Sequence, residues 1–506
     1  MITLEEQKLR EHLSVDEITF AIPAQSFAIS CAISAEEALP VVTEFALRIA
    51  YVCGTVSPGQ LQDFFGFSKK EIDAVLHSLL DERLLRWSDE QLELTSYALA
   101  RFQDSSDNLP RFFKIQDWSA EVVFDLISFS PSGRTNRLKR VRSQVELATR
   151  SLDKQSRTLQ YAEQSFQQNF RQICIKEKAE IYKISAIDAG ERFSIPLPCT
   201  FHLDFDGQTS LRRDIDDASF GSRLEIAEAI TDALANQQRG SNQRLQEFVN
   251  TFDDSLLQRY VGEDTFDLRQ YVHDVHLTQV VRPFDGRVTP LLGALYLPRN
   301  VALITGRIQD TFAVGDAAAG KSAADQGEID TEPQLPAPGQ TPRSALWWAP
   351  QSPFWARTRG ARELAQKIDK LLLVKDEQNS SGGLHVIVPT PRQSPRERLS
   401  IYQDQFTRLL AADLALMDGS LELLIVPDVL VCATFHFHLA HQALAIPIGF
   451  MSSTPEHIAA ASALLITRIG SKFDSFKSSR DGEGDALKQS LAEVLGRLSS
   501  QEARPD

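Results

Sequence analysis

The chain has 506 residues, with 53 Lys and Arg against 68 Asp and Glu, a formal charge of −15. That balance excludes a basic nucleic-acid coat protein, and at roughly 100–200 residues per domain the length allows about three domains. With 42% apolar and 24% charged residues, the composition is that of an ordinary soluble globular protein in which disorder is only local.

Five cysteines (Cys31, Cys53, Cys174, Cys199 and Cys432) lie far apart. They have neither metal-site nor disulfide spacing, so reduced thiols in a cytoplasmic protein are expected. Met1 to His12 carries Glu5, Glu6 and Glu11 beside Lys8 and Arg10, with no apolar run behind it. No stretch reaches about 18 uninterrupted apolar residues, which disfavours secretion and membrane spanning.

Within the first hundred residues, Leu39 to Val52 carries apolar residues at helical spacing, and Ser57-Pro58 opens a short helix to Phe65. Ser68-Lys-Lys-Glu71 is a capping box, hydroxyl and carboxylate satisfying each other's orphan backbone donors. It starts a third helix with Ile72, Val75, Leu76, Leu79 and Leu80 on one face, and Leu84 to Trp87 and Leu92 to Thr95 then alternate as a hairpin. This order of three helices and a hairpin resembles the bacterial winged-helix families over about residues 39 to 100. The resemblance implies that the third helix enters a major groove, offering Lys69 and Lys70 to phosphates. That face also carries Asp73, Asp81 and Glu82, so a module that docks on protein is an equal expectation.

Arg134 to Arg157 holds eight Lys/Arg against Glu146 and Asp153 and is expected to be helical, continuing to about Lys178. Arg134, Arg137, Lys139, Arg140, Arg142, Lys154 and Arg157 are its candidate phosphate contacts, and a solvated face paired with acidic neighbours explains the same letters. Strand-like runs follow at Phe193 to Phe205, His276 to Val281, Leu291 to Leu297 and Val301 to Thr305, with helices near Ser222 to Asn236 and Asn242 to Tyr260. Asp204-Phe-Asp206-Gly207 resembles the opening of haloacid dehalogenase-like phosphatases, but a hairpin turn is the favoured reading.

Gly315 to Pro342 replaces apolar periodicity with Gly, Pro, Ala and acid, and reads as a flexible linker. Its Gly315-to-Ser322 stretch matches the phosphate-loop pattern GxxxxGKS, with Lys321 on the terminal phosphate. No long helix is expected after it, so an accidental match is preferred. The aromatic cluster Trp347-Trp348 to Trp355 is read as packing against a sheet.

A helix at Arg359 to Leu373, a strand at Leu384 to Val388, a helix at about Arg396 to Met417, and strands at Leu421 to Val426, Val429 to His438 and Leu444 to Ile448 imply a sheet covered on both faces. The tail beyond Lys477 is polar, with one helix at Ala486 to Leu498. His436 and His438 fall on one face of their strand and Phe435 and Phe437 on the other, and with His441 the imidazoles offer either metal ligands or a phosphodiester nucleophile.

The region from about Trp355 to Ile469 resembles a phospholipase D-like half. That family's motif runs His, any, Lys, four residues, Asp, six residues, Gly, Ser. With His436 as its histidine, His438 stands at the lysine and Ala443 at the aspartate, and Gly449-Phe-Met-Ser452 falls one residue from the Gly-Ser turn. The resemblance therefore implies a degenerate, non-catalytic copy.

The expected fold class is mixed α/β: a winged-helix domain at 1–103, a central α/β domain with a basic helix at 104–312, a disordered linker at 313–343, the phospholipase D-like domain at 344–476, and a tail at 477–506. The expected function is a non-catalytic accessory protein without cofactor or metal, associated with double-stranded DNA or with protein partners, homo-oligomers included, and not with membrane. Family association alone points to a bacterial phage-defence or DNA-processing system. The alternative is a phosphodiesterase or nuclease centred on His436 and His438.

Overall fold

The computed structural model describes residues 13–502 apart from 38, 103–108, 134–140, 177–178, 205–209, 216–219, 221–222, 236–240, 253–254, 263–265, 281–286, 325–342, 373–381, 391–393, 440–441, 443, 471 and 479–483. In chain order the first elements are β1 (Ser14–Glu37), α1 (Val41–Cys53), β2 (Thr55–Val56), α2 (Pro58–Phe65), α3 (Lys69–Asp81), β3 (Leu85–Ser88), β4 (Gln91–Leu94), α4 (Ser96–Ala100), β5 (Phe112–Asp125) and β6 (Pro131–Ser132). Then come β7 (Val145–Glu146), α5 (Leu152–Ser156), α6 (Thr158–Ile173), β8 (Glu180–Asp204), β9 (Ser210–Ile215), α7 (Leu224–Ala235), α8 (Leu245–Phe252), α9 (Ser255–Gln258), α10 (Leu268–Val280), β10 (Val288–Leu292) and α11 (Pro298–Ala324). The last third holds β11 (Ser344–Trp348), α12 (Arg359–Leu372), β12 (Gly383–Pro389), α13 (Pro395–Tyr402), β13 (Arg408–Ala412), β14 (Leu421–Val426), β15 (Leu430–His438), β16 (Ala445–Ser452), α14 (Pro455–Ile469), β17 (Lys477–Ser478) and α15 (Gly484–Glu502). The class is mixed α/β.

Two compact units emerge, each from discontinuous pieces of chain: Ala24–Thr135 with Ser151–Arg192, and Met1–Pro23 with Asn136–Arg150 and Phe193–Asp506. In the first, α1, α2 and α3 pack with the three-stranded sheet β2-β4-β3 around Leu47, Leu61, Ile72, Leu76, Leu79 and Leu92. Both predicted helix starts are capping boxes: Ser57 accepts from the Gln60 amide at 3.2 Å, and Glu71 accepts from the Ser68 amide at 2.8 Å. Gly66 closes α2 at φ 66°, where a side chain is unfavourable. The rest of the unit pairs β5 antiparallel to β1 over Ala24 to Glu37 and covers them with α6 through Phe166 and Phe170.

In the second unit an eight-stranded sheet runs β10-β16-β15-β14-β11-β12-β13-β17. Its β11, β12 and β13 are parallel to one another, and the other neighbouring pairs are antiparallel. Strands β12 and β14 are buried along their whole length, as expected of a sheet covered on both faces. Residues of alternate parity, Trp347, Val386 and Leu424, join a core with Leu364 and Ile368 of α12 and Ile304 of α11. At Gly449, register places β16 directly against β15, and a Cβ there would lie 2.0 Å from the Ala433 carbonyl oxygen, so only glycine fits.

Several expectations are corrected. Residues 141–150, expected to continue a basic helix, include β7, which pairs with Phe20 and Ala21, and helix resumes only at Leu152. The strand-like run at 276–281 belongs to α10 as far as Val280, because Leu268, Tyr271, Val272 and Val275 are buried at helical spacing, which outweighs β-branched propensity. Val301 to Thr305 lies in α11, with Val301, Ile304 and Ile308 buried at the same period.

The helix expected to reach Met417 ends at Tyr402, and Arg408–Ala412 instead forms a buried strand parallel to β12. The expected linker is helical up to Ala324, because its alanines favour helix; 325–342 lie outside the described residues. The phosphate-loop letters therefore sit on a helix, whose backbone N–H groups are taken by helical hydrogen bonds rather than wrapped on phosphate. Gly449 to Ser452 is strand, not a turn.

Candidate functional site

Strand β14 reads Leu-Glu-Leu-Leu-Ile-Val, and its single charge, Glu422, is fully buried. A carboxylate there needs donors on every side. The fold supplies four. The indole N–H groups of Trp347 and Trp355 donate to Oε1 at 2.9 and 2.8 Å, while the Thr434 hydroxyl donates to Oε2 at 3.3 Å and His436 Nε2 lies 3.0 Å from the same oxygen. Thr434 faces Glu422 in register on β15, and Trp347 comes from β11 on the other side.

A second buried carboxylate lies close enough for the charge of Glu422 to act on it. Asp16 accepts from the Tyr296 hydroxyl at 2.7 Å and from the Glu17 amide at 2.8 Å, and Tyr296 in turn accepts from the Ala356 amide at 3.3 Å. Burial pushes Asp16 up to about 7, the Tyr296 and Glu17 hydrogen bonds oppose that rise, and the charges of Glu422 and Glu17 add to it. Burial, then the charge and hydrogen bond of Asp16, then the charge of Glu422, push the Tyr296 hydroxyl well above its ordinary value. Cys432, two positions before Thr434, is raised by burial and by Glu422, and so is an inert thiol.

His436 and His438 do share a face, with Phe435 packed on Phe248 and Phe437 on Phe266 across the strand. They are not equivalent. His436 is 7% exposed and committed to Glu422. The backbone of His438 is clamped by Asn242, whose amide accepts from its N–H and donates to its carbonyl, each at 2.8 Å. Burial, then the neighbouring His436, lowers the His438 imidazole to about 4. It is neutral at pH 7, so it does not bring the cation that a lysine at this position would bring to a phosphate. His441 and Ala443 lie outside the described residues. Among the described residues no group of three or more His, Cys, Asp or Glu side chains is placed to hold a metal ion.

An open groove of about 790 Å³ in the 24–192 unit is lined by Phe113, Arg171, Cys174, Ile175, Lys176 and Glu180, and a pocket of about 130 Å³ lies beside Asp369. Neither touches His436, His438 or Glu422. Ser14, His202 and Asp214 form a row across β1, β8 and β9, but the serine hydroxyl faces Nδ1 at 3.1 Å and the carboxylate is 3.5 Å from Nε2. This arrangement orders a sheet face.

The candidate phosphate contacts divide. Lys69 and Lys70 are exposed at the start of α3. Lys154 donates to the Ile127 carbonyl at 2.7 Å and Arg157 pairs with Asp153 at 3.3 Å. The Arg142 carbonyl accepts from Arg357 at 3.2 Å. Arg134, Arg137, Lys139 and Arg140 lie outside the described residues, as does Asp206 of the paired acids. Asp204 ends β8 opposite Ser210 of β9.

Glu422 is the residue that sequence reasoning missed. The signal was present, because one acid inside six otherwise apolar residues of a buried strand requires a dedicated set of donors, and the tryptophans supply them. No protein-family model matches the chain, and no curated protein or solved structure is significantly similar to it.

Proposed function

We propose that this protein is a non-catalytic, complex-forming accessory protein, its three-helix module docking on protein while the eight-stranded sheet serves as a rigid, non-cleaving platform. The observation that carries this reading is where exposed apolar surface falls. Among the described residues, Val41, Phe45, Val52, Phe64, Trp87 and Tyr97 of the 39–103 module are 39% to 74% exposed. Large apolar side chains left in water at this density mark contact surfaces.

Charge points the same way. Residues 39–103 hold six Lys/Arg against nine Asp/Glu, whereas binding to a duplex needs an excess of cations to release counterions. A winged-helix module of this composition suits a protein partner. For the sheet domain, burial keeps His438 neutral at pH 7, so it does not supply the cation that the lysine of a phospholipase D-like motif would bring to a phosphate.

The test is a mobility shift of labelled duplex DNA at low salt. The expected result is no shift at micromolar protein. A shift that weakens steeply with salt and is lost in Arg137→Glu with Arg140→Glu would replace protein docking with duplex binding.

A further inference from the structure

Two arginines of the second unit carry their charge largely out of water with no acid to meet it. Arg398, in the first turn of α13, is 9% exposed. Its Nη2 donates to the Ser352 carbonyl, and its Nε has no hydrogen-bond partner. Arg357, on the loop after β11, donates from Nε to the Pro353 carbonyl at 3.0 Å and from Nη1 to the Arg142 and Ser143 carbonyls at 3.2 and 3.3 Å. Both guanidiniums lie over one ring, that of Tyr402, with the Arg357 carbon 5.8 Å and the Arg398 carbon 5.3 Å from its centroid.

Carbonyls and a ring orient a guanidinium, but they bring no net charge. Among the described residues neither arginine pairs with a carboxylate, and Glu17, which reaches the adjoining Thr358, accepts from that hydroxyl. Burial first lowers Arg357 from its ordinary value; Tyr402 opposes this, and the like charge of Arg398 adds to it. Arginine stays protonated all the same. Two like charges held together away from water are costly unless a counter-charge arrives.

Their place in the fold suits an incoming anion. Strands β11 and β12 run parallel, and their carboxyl ends lead into the loop that bears Arg357 and toward α13, which bears Arg398. Open α/β sheets hold ligands at this edge. Ser394, the N-cap of α13, makes no side-chain cap hydrogen bond, so the orphan amides of that first turn are not taken by their own cap. Glu397 of the same turn is exposed and is not paired with Arg398.

We propose that Arg357 and Arg398 bind a phosphoryl group, as free phosphate or as a phosphomonoester, at the carboxyl edge of β11 and β12. A phosphomonoester carries a charge of about −1.5 to −2 at pH 7, which answers two guanidiniums. A single carboxylate would leave one of them uncompensated. The planar fork of arginine also matches paired phosphate oxygens.

The test is calorimetric titration of the full chain with inorganic phosphate and, separately, with AMP, at an ionic strength held constant with chloride. Saturable binding is expected for at least one of them, with a dissociation constant between about 10 μM and 1 mM and at least tenfold below that of succinate. Tighter binding of AMP assigns the monoester of a larger molecule, and tighter binding of phosphate assigns the free ion. Arg398→Met keeps the bulk of the side chain without its charge and is expected to weaken binding at least tenfold. Arg398→Lys keeps a charge but loses the fork, and a weakening of about threefold is expected. Circular dichroism shows which variants fold. No binding of either ligand by the wild type, binding no tighter than that of succinate, or binding unchanged in a variant that folds would overturn the site.

Discussion

Asp16 and His385 give the second unit pH dependences of opposite sense. His385 is fully buried on β12 with neither ring nitrogen in a hydrogen bond, although the nearby backbone at Ala345 and Gly383 offsets part of its penalty. Burial, then Arg408, lowers it from 6.5 to about 4. Between those values the unfolded chain binds more protons, so stability falls as pH drops through 6.5. Asp16 acts inversely. With its carboxyl raised from 3.8 to about 7, the folded chain holds the proton more tightly, and stability falls as pH rises across that interval. Asp16→Asn keeps an oxygen for Tyr296 and is predicted to raise the melting temperature near pH 8 while leaving it unchanged near pH 4. His385→Leu is predicted to flatten the acid limb. Melting profiles parallel to wild type in either variant would contradict these assignments.

At the scale of elements, Glu422 ties three strands and a loop together: β14 carries it, β15 brings Thr434 and His436, β11 brings Trp347, and Trp355 follows β11. Glu422→Leu strips the acceptor from two buried indoles and an imidazole, and is predicted to lower unfolding free energy by about 3–5 kcal/mol. Glu422→Gln keeps a carbonyl for the indoles and should lose less. Urea unfolding midpoints compare them, and equal losses would mean that the tryptophan contacts contribute little.

These contacts also mark how far the sequence could be read. The helices of the 39–103 module and strands β12, β14 and β15 were legible because caps and apolar period act locally. Strand β13 was not, since Arg408 to Ala412 follows a helical run and only its place beside β12 makes it a strand. The 24 residues of β1 carried no turn signal and were not read at all. Of the site, the histidines and tryptophans were visible as clusters, while their common partner needed the register of β14 with β15.

For the whole molecule, the excess of acid and the apolar exposure of α1 and its neighbours are what support the proposed association with protein. Among the described residues no helix is long and apolar enough to cross a membrane. The claim on which this account turns is that the His436–Glu422 centre packs the sheet and does not cut a diester. The most direct measurement is the hydrolysis rate of bis(p-nitrophenyl) phosphate by the full chain, with and without added divalent ions, beside that of His436→Ala with His438→Ala. The account predicts the buffer rate for both proteins. Wild-type turnover above buffer that disappears in the double variant would contradict it.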